Sequence, residues 1–404
     1  MQEDYSASSK GLYVNKVESL EGRRVPFIMG MDCSEVPSIE CARASVSEAA
    51  YKNFEGNEAD VFRTLKEAGI TDIRVRIWND PKDRQGRTYG GGNCDAANAI
   101  YIAKRCVKAG LGIIPGFHYS DFWADPAKQS VPKAWRGKTV SETAQLIYTY
   151  TRDTLEWIRS TGVHITAVQI GNETTGGMCG VYMDWKTTCR YMSAASRAVR
   201  DVTGPVSRGG AKIAVHLTNA AYGIKWAADK FRQCSLDYDI FGASWYPYYS
   251  SHGSFSNLRD EFMRIHEAYG KDVMILETAY AFTHEDLDGC GTTSLEVSNI
   301  LSVPNQCRAV RDIIQGIADL GDWGLGICYW GGTWISASGT ADGPTNLDLC
   351  KKYGCGWATS CARGYDPDAE DGGSQVDNQA FFLPDGTPLN SLKVFSLAYS
   401  GGIT

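Results

Sequence analysis

Two glutamates stand where paired carboxylate chemistry is possible. The stretch Ala167-Val168-Gln169-Ile170 is apolar and strand-like, and it ends in Gly171-Asn172-Glu173. A second stretch, Val273-Met274-Ile275-Leu276, ends in Glu277 and continues Thr278-Ala279-Tyr280. A carboxylate at the end of a buried strand is unfavourable without a partner or a task. Two such carboxylates suit glycosidic hydrolysis with retention, in which one attacks as nucleophile and the other serves as acid and then base. Other chemistries lack their signatures. There is no HExxH for a catalytic zinc and no Gly-x-Ser-x-Gly elbow for an esterase. The glycine run 90–92 lacks the spacing and the Lys-Ser/Thr of a phosphate loop.

Eight strand-like segments alternate with helical patterns. The strands fall near 27–32, 72–78, 111–118, 167–173, 212–217, 239–246, 273–277 and 324–330. Helical patterns fall near 60–69, 96–109, 140–161, 185–202, 220–232, 256–269 and 306–320. Such alternation implies a parallel sheet, and eight units imply a closed (β/α)8 barrel of the α/β class. The chain has 404 residues, against about 250 for a minimal barrel. The surplus follows the first, third, fourth, seventh and eighth strands, at the rim where barrel active sites lie. Residues 1–26 read as an N-terminal extension and 27–404 as a single catalytic domain, with a loop-rich end from 331.

Side chains alternate along a strand, so residues of like parity share a face. Glu173 shares parity with Gln169, and Glu277 with Val273 and Ile275. If those faces point inward, both carboxylates meet at the top of the barrel. Arg74 and Arg76 would also point inward, and a buried guanidinium needs a carboxylate; Glu277 is the expected partner of Arg76. His118, His216, Tyr246 and Trp330 complete the candidates at that height, although either histidine could equally be a satisfied core residue.

The net charge is −7, which argues against nucleic acid or an anionic membrane as partner. No apolar run of 18 residues exists to span a bilayer. The start of the chain lacks the basic and apolar regions of a signal peptide and reads as a mature end with an added Met1. The 11 Trp and 21 Tyr fit either a large core or a sugar-stacking groove. Thirteen cysteines cannot all pair internally. Cys179, Cys189, Cys290, Cys307, Cys350, Cys355 and Cys361 sit in loop-like sequence, which favours disulfides and an oxidising compartment. Cys106 and Cys328 read as buried thiols. The spacing of Cys350, Cys355 and Cys361, with no His nearby, argues against zinc.

At this point the motifs become specific. Arg74-Val75-Arg76-Ile77-Trp78-Asn79-Asp80-Pro81, His118-Tyr119-Ser120-Asp121-Phe122-Trp123-Ala124-Asp125-Pro126, Gln169-Ile170-Gly171-Asn172-Glu173, Leu276-Glu277-Thr278-Ala279-Tyr280 and Tyr329-Trp330 stand in one order. In that order and spacing the chain, from about residue 27 to 395, resembles the family 53 glycoside hydrolases. These are arabinogalactan endo-β-1,4-galactanases of a clan of retaining barrels. The third-strand motif argues against a mannanase or xylanase of the same clan, and the presence of both glutamates against a barrel that only binds glycans. The resemblance implies Glu277 as nucleophile and Glu173 as acid/base, without a cofactor for the chemistry. It implies that Asn172 holds the sugar 2-hydroxyl, that Tyr246 and Arg76 support Glu277, and that Asp121, Trp123 and Trp330 line subsites. It also implies a structural calcium in the loop after the seventh strand, with Asp286, Asp288, the carbonyl of Cys290 and Thr292 as oxygen ligands; a solvated acidic turn is the alternative. The cysteine-rich insert 350–361 and the acidic run 366–371 would reshape one end of the groove. The expected partner is β-1,4-galactan from pectin side chains, and the expected setting is a monomer secreted or held at the cell surface.

Overall fold

The computed structural model describes residues 11–46, 48–249, 252–293, 295 and 301–404. The first ten residues of the expected extension lie outside that range. A two-residue strand β1 (Tyr13–Val14) pairs antiparallel with β10 (Gly402–Ile403), tying the two ends of the described chain together. Between them run β2 (Ile28–Asp32), β3 (Asp72–Ile77), β4 (Gly112–Phe117), β5 (Ala167–Ile170), β6 (Lys212–Leu217), β7 (Ile240–Ser244), β8 (Asp272–Thr278) and β9 (Gly324–Tyr329). These eight form a closed barrel, with β9 pairing parallel to β2. The expected (β/α)8 fold is therefore the observed one.

The helices outside the barrel begin with α1 (Val36–Ser45), α2 (Val61–Glu67), α3 (Ala96–Ala109), α4 (Val140–Ser160) and α5 (Trp185–Thr203). They continue with α6 (Lys225–Gln233), α7 (Phe255–Tyr269) and α8 (Val303–Ala318), then α9 (Gly343–Tyr353) and α10 (Val394–Ser400) in the final segment. Their starts follow local chemistry. Asp60, Asp95, Asp184, Ser254 and Ser302 cap free N–H groups, and Thr139 with Glu142 forms a reciprocal capping box. Two expectations change. The helical pattern at 220–232 is a single tight turn and then α6, because Gly223 takes a left-handed conformation (φ 91°) between them. The polar loop expected after the first strand contains α1, which starts around Pro37 and buries Val36, Ile39 and Ala42.

The core has two shells. Inside the barrel lie Ile28, Ile114, Ala167, Ala214, Ile240, Met274, Leu276, Leu325 and Cys328. Between strands and helices lies a larger layer that includes Ile73, Val75, Val168, Ile213, Val273 and Ile275. The second shell corrects the parity argument for the seventh barrel strand, since Val273 and Ile275 face outward. Glu277 turns inward through a register shift. Ala243 pairs with Ile275, yet the next residue, Ser244, pairs with Glu277. Both Leu276 and Glu277 thus serve the interior, as a β-bulge allows. Gly242 makes the room, because a Cβ there would lie 2.3 Å from Leu276 Cδ1.

Candidate active site

β5 ends at Ile170, and the chain then turns through Gly171 (φ 95°) to Glu173, itself left-handed at φ 47°. Left-handed backbone at a non-glycine residue is uncommon and concentrates at functional sites. The turn swings the Glu173 carboxyl over the barrel mouth. Oxygens of Glu173 and Glu277 and a ring nitrogen of His216 all lie within 4.8 Å of one another.

Glu277 receives Arg74 Nη2 on Oε1 at 2.8 Å and the Tyr246 hydroxyl on Oε2 at 3.1 Å. The expected pairing of Arg76 with Glu277 is replaced by one with Arg74. The reason is height: Arg74 sits one pleat deeper and its fork spans the barrel, reaching Asp32 through Nη1 at 2.9 Å as well. Arg76 instead faces Asp32 (3.4 Å) and Glu35 (3.2 Å). Its guanidinium lies 4.7 Å from the Trp123 ring centre and 5.2 Å from that of Trp334. Burial pushes the Glu35 carboxyl up to about 7, against the pull of Arg76.

Burial raises both central carboxyls, and their supports separate them. Glu173 is pushed up to about 8, by burial first and the charge of Glu277 second. Glu277 is also raised by burial, but Arg74 acts strongly in the opposite direction and the Tyr246 hydroxyl adds to it. Arg74 and Tyr246 favour the anion on Glu277, while burial and a neighbouring charge favour the proton on Glu173, the direction that two-carboxylate hydrolysis needs.

The cleft above, about 220 Å³, is lined by Glu173, Glu277, Asn172, Arg76, His118, Trp123, Tyr246 and Trp330 among others. Trp123 stacks on Trp357 at 4.6 Å, and Trp330 and Trp334 pack around them. Three buried polar atoms there have no hydrogen-bond partner among the described residues, Arg76 Nε and Nη1 and His118 Nε2. The other ring nitrogen of His118 accepts from Trp78 Nε1 at 3.0 Å. His118 is held neutral, well below 6.5, by burial and by Arg74 and Arg76.

Two expected sugar contacts lie elsewhere. His216 does not line the cleft; it is buried beneath it, between Asn172 and Ser244. Asp121 is buried in the loop after β4, where its oxygens accept from the backbone N–H groups of Asp80 and Lys133. A carboxylate so occupied shapes the loop that carries Trp123. Residues not anticipated also line the cleft: Asp125, Tyr249, Thr293, Trp357, Val376 and Gln379. Asp32 was missed as well, although it ends a buried strand as the two glutamates do.

In the loop after β8, Asp286 and Asp288 meet a third carboxylate, Asp377, within 4.8 Å. Asp377 joins Asp286 and Asp288 of the expected set, which also held the carbonyl of Cys290 and the oxygen of Thr292. The Cys290 thiol points to Gly343 O (3.2 Å), and the Thr292 hydroxyl donates to Gln375 O. Burial and mutual repulsion push Asp288 up to about 7 and Asp377 well above the carboxylate range. No salt-bridge partner for the three is found among the described residues. Their oxygens accept from the backbone N–H groups of residues 287–291, 374 and 378, and hard oxygen donors of this kind are those that calcium takes.

Cys189 is disulfide-bonded to Cys234, a partner the sequence reading did not propose. Cys179, Cys290, Cys307 and Cys361 are free, as are Cys350 and Cys355, whose sulfurs lie 3.7 Å apart. Cys106 and Cys328 are buried thiols as expected.

A sequence profile of glycosyl hydrolase family 53 matches residues 28–395. The endo-beta-1,4-galactanase of Bacillus subtilis (strain 168) is 42% identical, covering 98% of this chain and 90% of the relative. The arabinogalactan endo-beta-1,4-galactanase of Humicola insolens is 30% identical, covering 91% and 98%. Among solved structures, the GH53 catalytic domain of Ignisphaera aggregans superposes with a TM-score of 0.81 at 34% identity, covering 96% and 99%.

Proposed function

The chain belongs to glycosyl hydrolase family 53, and from that premise we propose how its residues carry out the hydrolysis. The protein is an endo-β-1,4-galactanase, a retaining glycoside hydrolase acting on (arabino)galactan. Glu277 attacks the anomeric carbon. Glu173 protonates the departing glycosidic oxygen, leaving a galactosyl ester on Glu277. Water then attacks the same carbon, Glu173 takes its proton, and Glu277 leaves as carboxylate, so configuration is retained. The proximity of two carboxyls with opposite supports carries this reading: Arg74 and Tyr246 on Glu277, burial and a neighbouring anion on Glu173.

Arg76 and His118 would bind galactosyl hydroxyls, since each lines the cleft and keeps a buried polar atom without a partner among the described residues. Trp123 and Trp330 would stack on pyranose faces. Asn172 would offer its amide edge to a 2-hydroxyl, held in place by Arg74 (3.0 Å) and Ala124 O (2.8 Å).

The decisive measurement is reducing-sugar release from linear β-1,4-galactan beside mannan, xylan and cellulose. Release from galactan alone is expected, with Glu277→Ala inactive. Glu173→Ala should lose about 10²–10⁴ in kcat/KM on galactan, and far less on a galactobioside with a dinitrophenolate leaving group, which departs without acid help. Equal losses on both would remove Glu173 from the acid/base role.

Four further assignments belong to the same reading. A calcium ion at Asp286, Asp288 and Asp377 would have a structural task, tying the loop after β8 to the final segment. The polymer comes from pectin side chains, too large to enter a cell, so the enzyme works outside the cytoplasm; the Cys189–Cys234 bond suits that compartment. No helix of the described residues is long and apolar enough to cross a membrane. Residues 27–404 act as one catalytic unit, as a monomer.

A further inference from the structure

Beneath Glu173 runs a chain of hydrogen bonds whose direction is fixed at one end. Arg74 is a donor at every nitrogen. It donates from Nε to Gln169 Oε1 (2.9 Å) and from Nη2 to Asn172 Oδ1 (3.0 Å), so both amides must turn their oxygens toward it. Their NH2 groups have acceptors in turn. Gln169 donates to Gly171 O and to Asn172 Oδ1, and Asn172 to Ala124 O.

His216 Nδ1 lies 3.0 Å from that same Asn172 oxygen, which carries no hydrogen. Nδ1 must therefore be the protonated nitrogen. His216 is fully buried, and burial together with Arg74 holds the ring neutral. Nε2 is then an acceptor, and its neighbour is Ser244 Oγ at 2.8 Å. A serine hydroxyl has one hydrogen. Once His216 claims it, Ser244 faces Glu173 Oε1, 2.7 Å away, with lone pairs only. That contact is a hydrogen bond when Glu173 supplies the proton.

Building on the reading of Glu173 as acid/base, we propose that Ser244 and His216 are positioning residues that keep the catalytic proton on Glu173. The array from Arg74 through Asn172, His216 and Ser244 matches every donor with an acceptor only in that state. An ionised Glu173 draws the Ser244 hydrogen to itself and leaves Nε2 facing a bare oxygen. The other arrangement, with the extra proton on His216, buries an imidazolium beside Arg74. The other groups facing Glu173 are Glu277 on β8 and Asp125 after β4, which raise its proton affinity, Arg74, which lowers it, and the phenol of Tyr246. The proton budget closes over one turnover. Glu173 gives its proton to the leaving oxygen, Ser244 swings toward the carboxylate, and the proton taken from water restores the array.

The sign of one shift tests the proposal. A hydroxyl that merely donates to a carboxylate lowers its pKa, so deleting it raises the pKa; here deletion must lower it. The alkaline limb of kcat/KM on β-1,4-galactan should move down by about one pH unit in Ser244→Ala, the scale of one buried hydrogen bond, and return in Ser244→Thr. An unmoved limb, or one displaced upward, overturns the proposal. Long-range 15N spectra of the native enzyme near pH 6 give a second reading that needs no variant. His216 should carry its proton on Nδ1, and a proton on Nε2 overturns the array. The acid/base assignment fails separately. If Glu173→Ala discriminates between galactan and the dinitrophenyl substrate while Ser244→Ala leaves the limb in place, only the Ser244–His216 proposal falls.

Discussion

Arg74 holds four partners in the site. It touches Glu277, Asp32, Asn172 and Gln169 at once, and it is fully buried. A lysine keeps the charge but offers a point donor in place of a planar fork. Arg74→Lys should therefore reduce kcat/KM on galactan by about 10²-fold, the scale of one lost preorganised donor. The pH profile supplies the sign. Arg74 lowers the pKa of Glu277 against burial, so weakening the contact raises that pKa and moves the acid limb to higher pH. A profile that keeps its acid limb would separate Glu277 ionisation from Arg74. In the native enzyme the alkaline limb should fall near 8, where Glu173 loses its proton.

At the scale of elements, two irregular strand ends aim the carboxyls. The left-handed turn at Gly171–Glu173 does so for one, and the bulge at Leu276–Glu277 for the other. Gly242 on β7 is the space into which Leu276 folds, and a Cβ there would also meet Val215 O at 2.7 Å. Gly242→Ala should cost about 1–3 kcal/mol of stability, as overpacking of a tight core does. It should also lower kcat more than it raises KM, because the bulge that presents Glu277 is displaced. Denaturant unfolding combined with steady-state kinetics separates the two effects; a stable variant with native kcat would show that the bulge tolerates the methyl.

The whole molecule contributes through its last quarter. Residues beyond β9 supply Trp334, Trp357, Val376 and Gln379 to the site region, and Asp377 to the acidic cluster. Trp357 stacks on Trp123. Trp357→Ala should raise KM for galactan about tenfold, equivalent to about 1.4 kcal/mol, while kcat holds; a fall in kcat alone would place Trp357 with the chemistry. The acidic cluster joins the loop after β8 to that same segment. If calcium holds it, saturation at about 100 Kd adds about 2.7 kcal/mol of stability. Chelation should then lower Tm in the native protein and leave Tm unchanged in Asp377→Ala. Equal Tm with and without chelator in the native protein would leave the three carboxylates metal-free.

The barrel, its eight strands and the two glutamates were legible in the chain itself, because alternation of strand and helix and a carboxylate ending an apolar run are local patterns. Locality also explains the tryptophan on the third-strand motif. What strand parity could not supply was the inward turn of Glu277, which depends on a register shift between neighbouring strands. Nor could it choose between Arg74 and Arg76, since both face inward and only their height against Asp32, Glu35 and Glu277 separates them. Asp121 was expected at a subsite from the resemblance, and His216 stood as a candidate at the barrel top or a satisfied core histidine; occupied hydrogen bonds bury both beneath the surface. Trp357, Asp377 and the Cys189–Cys234 bond were invisible in one dimension, because their partners lie 45 or more residues away. Which residues can do chemistry is written in local sequence; which of them meet is decided by packing across the barrel, where distance in space no longer follows distance along the chain.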